Sequence, residues 1–206
     1  VLNKTVIGKI KFILCGIISC LFIIAVTRTT TLSNVSGGSM ENTYKNNDWL
    51  LVNRIVPSIN RGDIIVAKFK NKLIVKRVIG VGGDIVEIKD NQLYVNNSLK
   101  DEDYIKEDMK EANMSIRVPV KELFLLGDNR NNSVDSRNIA VGCVSESDVI
   151  GKVMFDLGND ISGYINFLLM LLICCTIIVV SVEKIINIMF INIDKAEMAA
   201  LKIDNQ

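Results

Sequence analysis

Asp63-Ile64-Ile65-Val66-Ala67-Lys68-Phe69-Lys70-Asn71-Lys72-Leu73-Ile74-Val75-Lys76-Arg77-Val78-Ile79 reads as two β-rich runs on either side of a short polar turn. Branched and aromatic side chains suit a pleated, half-buried surface, and Asn71-Lys72 between the runs is a turn signal, so the stretch predicts a hairpin. The same texture continues in both directions: Trp49 to Val52, Asp84 to Ile88, Leu93 to Val95 and Leu123 to Leu126 are short apolar runs, and Asn60-Arg61-Gly62, Gly82-Gly83 and Asp90-Asn91 punctuate them. Residues 28–160 are therefore expected to form one mostly β domain. The charged stretch Lys100 to Glu111 lacks an apolar period and reads as a surface loop or short helix whose charges are solvated.

Two uncharged apolar stretches flank this region, Phe12 to Val26 and Tyr164 to Val182. The second approaches the ~20 residues that cross a bilayer, while the first needs its flanking residues to do so. Transmembrane helices are expected over residues 12–27 and 161–182. Lys4, Lys9 and Lys11 precede the first and Lys184 and Lys195 follow the second. The positive-inside bias then places residues 1–11 and 183–206 in the cytoplasm and the β domain on the outer side of the cell membrane. A cleavable signal peptide is the alternative for the first stretch, although Ala25-Val26-Thr27-Arg28 is a poor cleavage site and the second stretch would still anchor the product. The tail from Glu183 to Gln206 reads either as a segment lying along the inner leaflet or as a continuation of the second helix.

The chain of 206 residues carries a formal net charge of +1, which gives no electrostatic case for nucleic acid as a partner. It contains no histidine, so a Ser-His-Asp triad and His-ligated metal sites are excluded. Of five cysteines only Cys143 lies outside the apolar stretches, so no disulfide can form within the β domain, and Cys143 reads as a small buried side chain. No cofactor and no metal are implied, and oligomeric state is not legible.

A hydrolytic reading must draw its base from Lys, Asp or Glu. Ser39 follows a glycine pair in Ser36-Gly37-Gly38-Ser39-Met40, and glycine beside a nucleophile leaves backbone N–H groups open to an oxyanion. Lys76 shares a strand face with Ile74 and Val78, which predicts a desolvated amine able to accept a serine proton. Read singly, the first motif is also an ordinary turn, and Lys76-Arg77 are also solvated charges guarding an edge strand. The third element is the polar run Gly127-Asp128-Asn129-Arg130-Asn131-Asn132-Ser133-Val134-Asp135-Ser136-Arg137. Here Asp135 and Arg137 are expected to pair, and the Ser133 hydroxyl to orient a neutral lysine. A calcium loop is the alternative, but the EF-hand spacing and its terminal Glu are missing. Arg61-Gly62-Asp63 matches an adhesion tripeptide, yet a turn feeding a strand accounts for it.

Taken in order, Ser39-Met40-x-x-Thr43, Asp48 to Val52, Arg61-Gly62-Asp63, Lys76-Arg77-Val78-Ile79-Gly80 and Gly127-Asp128-Asn129-Arg130…Ser133-x-Asp135-Ser136-Arg137 strongly resemble bacterial type I signal peptidases of the Ser-Lys kind. The resemblance implies a compact β catalytic domain shared with self-cleaving SOS repressors and flanked here by two transmembrane helices. It also implies a membrane-bound serine endopeptidase that removes signal peptides from exported preproteins, with the lipid bilayer as its second partner. By the same resemblance Ser39 is the nucleophile and Lys76 the general base, Ser133 supports Lys76, and Asp128, Arg77, Asp135 and Arg137 hold the site. A catalytically silent relative that binds preproteins is the alternative. The chain departs from the family in having Asn42 where proline usually stands, an expected loosening of the nucleophile's loop. It departs again at Gly37, where some relatives place a serine that donates to the oxyanion, which leaves more to the backbone of Gly37 and Gly38.

Overall fold

The computed structural model describes residues 4–110, 113–159 and 161–203, which divide into two compact units. Residues 28–164 form a β body. Its hairpin is the one read from the sequence: β3 (Ile64–Phe69) and β4 (Lys72–Val81) pair antiparallel with Phe69 opposite Lys72 and Ile65 opposite Lys76. Lys70, at φ 53°, takes the left-handed corner of the turn.

Five further strands extend this hairpin into a seven-stranded antiparallel sheet: β1 (Thr30–Asn34), β2 (Trp49–Asn53), β9 (Glu122–Leu126), β10 (Val144–Ser145) and β11 (Val149–Asp156), in the order β1-β2-β11-β3-β4-β9-β10. Both faces of its centre are covered. Leu123 and Leu125 pack with Ile65, Ala67 and Val78 on one side, and Phe124 and Leu126 pack with Ile79 on the other. Against that second side lies a four-stranded antiparallel sheet of β5 (Ile85–Lys89), β6 (Gln92–Val95), β7 (Ser98–Leu99) and β8 (Met114–Arg117), which contributes Val86, Ile88, Leu93 and Val95 to the same core.

Five strands depart from the expected set. β1 is built of Thr-Thr-Leu-Ser-Asn, with little apolar content to mark it, and β7 and β10 are two residues long. In β8 only alternate residues are half-buried. In β11 the register shifts against both neighbours, between Val149 and Gly151 and between Val153 and Phe155, and these irregularities erase the period-two pattern. Lys100 to Lys110 contains no helix. Glu111 lies outside the described residues.

The second unit contains most of the long helices α1 (Lys4–Thr29) and α2 (Ile161–Ile203). Stretches of each, Gly8–Thr29 and Ile165–Ile193, are long and apolar enough to cross a membrane. Their large apolar side chains point outward, among them Phe12, Leu21, Leu172 and Val180, the arrangement a lipid solvent demands. Cys15 Sγ lies 3.9 Å from the Val179 carbonyl, and Lys11 bonds Asn187. α2 does not break at residue 182 but continues to Ile203, so the described part of the tail is a helical continuation. Residues 204–206 lie outside the described residues.

Candidate active site

Ser39 sits in the loop joining β1 to β2. The loop is closed at its base by paired bonds, Val35 N–H to Asp48 O and Asn47 N–H to Val35 O, each 2.8 Å. Gly37, at φ 93°, makes the left-handed bend before the nucleophile, and the buried side chain of Met40 anchors the loop after it. The Gly38 carbonyl accepts from Asn129 Nδ2 at 2.9 Å and from Glu41 N–H at 3.2 Å. Because the peptide is trans and planar, fixing that carbonyl turns the Ser39 N–H to the opposite side, where it has no protein partner among the described residues.

Lys76 reaches the same point from the middle of β4. Its Nζ lies 2.7 Å from Ser39 Oγ and 3.1 Å from the Val75 carbonyl, and the residue is 4% exposed. Burial lowers the lysine pKa, against the opposing pull of the Asp135 and Asp128 carboxylates. The strand's alternation sends Arg77 to the other face, as expected. There its Nε and Nη2 grip Asp128 at 2.8 and 2.7 Å, and its Nη1 donates to the Gly62 carbonyl. Thr43 Oγ1 donates to the same carboxylate through a very short bond, which ties the nucleophile's loop to the strand carrying the base.

The loop after β9 backs both groups. Asn129 N–H donates to the Ser39 carbonyl at 3.0 Å. Asp135 accepts from Arg137 at 2.8 Å on each oxygen and from Gly127 N–H at 3.1 Å. Arg137 also donates to the Arg130 carbonyl at 2.5 Å. Gly127 is required by space: a Cβ there would overlap the Ser39 carbonyl and the Ser133 side chain. The aspartates singled out for a calcium loop are thus matched with arginines, Asp128 to Arg77 and Asp135 to Arg137. Among the described residues no cluster of three or more acidic or thiol side chains is placed to hold a metal.

Several expectations need correction. Ser133 Oγ is buried but makes no hydrogen bond, and the expected bond to Lys76 is not formed. Asn42 does not loosen its loop by replacing proline. It stands at φ 86°, a backbone state closed to proline, and its side-chain amide donates to the Tyr104 carbonyl at 3.4 Å. The charges of Lys100 to Lys110 are not merely solvated. Glu102 forms a buried bidentate pair with Arg130, both bonds 2.6 Å, and Lys106 pairs with Glu41 at 2.5 Å. Neither Glu102 nor Tyr104, whose ring lies 3.8 Å below the Arg77 guanidinium, belongs to the motifs read from the sequence; an aromatic residue inside a charged run was the available signal. Arg61 is engaged with Asp84, and Asp63 with Lys152, so both charged ends of the adhesion-like tripeptide are committed within the fold. Cys143 packs half-buried against the inter-sheet core, and burial raises its thiol to about 11.

The model of the signal peptidase family, peptidase S26, matches residues 7–157. Signal peptidase I P of Bacillus subtilis subsp. natto is 37% identical over 72% of this chain and 87% of its own. Signal peptidase I U of Bacillus subtilis strain 168 is 40% identical over 57% of this chain and 70% of its own. A match that runs from the first helix through β11 takes in every strand that carries the serine, the lysine and their supporting loop, and the chain belongs to the signal peptidase family.

Proposed function

We propose that this membrane-anchored serine endopeptidase removes signal peptides from exported preproteins through an acyl-enzyme formed on Ser39, with Lys76 as the general base. The observation that carries this reading is the 2.7 Å approach of Lys76 Nζ to Ser39 Oγ at a lysine almost wholly removed from water. Burial favours the neutral amine, and a neutral amine can take the hydroxyl proton as Oγ attacks the scissile carbonyl. The unpartnered Ser39 N–H is suited to receive the developing oxyanion, with the Gly38 backbone beside it; the Gly37 N–H, expected to share this task, is instead bonded to Asn46 Oδ1 at 2.8 Å. The protonated lysine then returns its proton to the departing amine. Water, deprotonated by the same lysine, releases the acyl group.

Arg77, Asp128, Asp135 and Arg137 act by fixing the strand and loop that bring the pair together. Ser133 has no partner in this arrangement and is assigned no proton-transfer step. The lysines flanking the two spans favour a β body outside the cell membrane. A preprotein cleaved there presents small side chains before the scissile bond.

The test is cleavage of a preprotein carrying an Ala-x-Ala site by the full chain in detergent or vesicles. Ser39→Ala and Lys76→Ala should each abolish product, and an acylating serine inhibitor should label the wild type but neither variant. Cleavage by the Lys76→Ala protein would refute the pair. Digestion of the β body by protease added outside intact spheroplasts checks the orientation, and protection from it would reverse the assignment.

A further inference from the structure

Residues 102–106, in the connection from β7 to β8, form a strap that touches each of the three parts of the site. Tyr104 lies flat against Arg77, its ring centroid 3.8 Å from the guanidinium carbon, and its hydroxyl donates to Glu102 at 2.6 Å. Glu102 receives both Nη groups of the fully buried Arg130, whose Nε reaches the Gly127 carbonyl at 3.2 Å. An unbroken chain of contacts therefore runs from Arg77, adjacent to the lysine, through Tyr104, Glu102 and Arg130, to the glycine packed beneath Ser39. The strap also bonds the nucleophile's loop, through Lys106 to Glu41 and through the Tyr104 carbonyl to Asn42. The Lys106 N–H donates to the Asp128 carbonyl at 3.1 Å.

Resting on the assignment of Ser39 and Lys76 above, we propose that Tyr104 and Glu102 are positioning residues for that pair, acting through Arg77 and Arg130. Neither touches the reacting atoms. A π face against a cation holds the Arg77 guanidinium in its two bonds to Asp128, and the Glu102 carboxylate holds Arg130 on the Gly127 carbonyl. Two acids face Lys76, Asp128 and Asp135. Only the first is neutralised by Arg77, while the second keeps its own Arg137. Loosening Arg77 therefore exposes Lys76 to more of the Asp128 charge, which favours its ammonium.

The experiment compares Tyr104→Phe, which keeps the π face, with Tyr104→Leu, which fills much of the space without one. The pH profile of kcat/KM is measured on the full chain. Tyr104→Phe should stay within about threefold of wild type, while Tyr104→Leu should lose about 10- to 100-fold in kcat with KM changed less than about twofold. The acid limb of kcat/KM should move to higher pH in the Leu variant alone. Wild-type kcat in Tyr104→Leu, equal losses in both variants with an unmoved limb, or a loss confined to KM would each overturn the proposal. Should Tyr104→Leu fail to fold, Glu102→Gln, of the same shape but uncharged, carries the test. A lowered kcat with KM changed less than about twofold supports the proposal, and unchanged values or a loss confined to KM overturn it. Ser39→Ala run beside these separates the two ideas. Activity in that variant removes the pair and the strap's role with it, whereas its inactivity beside a wild-type Tyr104→Leu removes the strap's role alone.

Discussion

Lys76 stands at the centre of a conflict between stability and reactivity. An amine buried to 4% exposure has its pKa lowered, so its protonated form is penalised in the folded protein but not in the unfolded chain. That penalty is fully present below the folded pKa and fades as pH rises towards the unfolded value. Lys76→Met should therefore be more stable than wild type at neutral pH, with the gap closing in alkaline solution, as measured by denaturant midpoints in detergent. Gly127→Ala should lose at least ~10²-fold in activity, because the added carbon displaces the Ser39 carbonyl or the Ser133 side chain. Asn42→Pro, which restores the family's usual residue, should destabilise the chain by more than ~1 kcal/mol, since φ 86° lies far from proline's fixed angle. Asn42→Gly should be tolerated better. That Lys76 and Arg77 take opposite faces was legible in the alternation of one strand, and Ser39 stood out by the glycine pair before it, whereas the place of Asp128 came only with the family resemblance. The left-handed state of Asn42 and the idle Ser133 hydroxyl were not legible, since both depend on what another segment places against them.

At the scale of elements, the strap and the turn before β5 each hold a carboxylate of low exposure against an arginine. Removing Glu102 leaves Arg130 buried without its counter-charge, and Glu102→Ala should cost about 3–5 kcal/mol of stability, read from the same denaturation midpoints. Asp84 is held down to about 2 by its bond to Arg61, helped by the Val81 N–H and the Asn96 amide. A carboxylate lowered in the folded state contributes stability that is complete above its unfolded pKa and is lost as pH falls through the folded one. The bond between Arg61, before β3, and Asp84, before β5, should thus weaken between about pH 4 and 2, and Asp84→Asn should flatten the acid arm of the stability curve. The hairpin of β3 and β4 was readable because its hydrophobic runs are continuous. β11 was not, because two register shifts scatter its apolar residues over both faces, although it sits between β2 and β3 and completes the sheet. The strap was misread for a related reason: charges that look solvated in a linear chain become partners once β4 and the loop after β9 bring Arg77 and Arg130 beside them.

For the molecule as a whole, the sequence pattern marked both the β body and the two apolar spans, while the extent of α2 beyond its uncharged core was left open by the mixture of Ile, Lys and Glu after residue 182. The uncharged cores of the two spans differ in length, 15 residues from Phe12 to Val26 and 19 from Tyr164 to Val182. At ~1.5 Å per residue they reach about 23 and 29 Å, against a hydrocarbon layer of roughly 30 Å. The longer matches such a layer standing nearly upright, but the shorter falls short of it and must either thin the surrounding lipid or let its flanking Lys11 and Arg28 reach back to the headgroups. Bilayer thickness therefore becomes a variable of the enzyme. Reconstituted into lipids of graded acyl-chain length, the protein should keep α1 upright throughout, while α2, read by oriented spectroscopy, leans in the thinnest bilayers and stands upright as the chains lengthen.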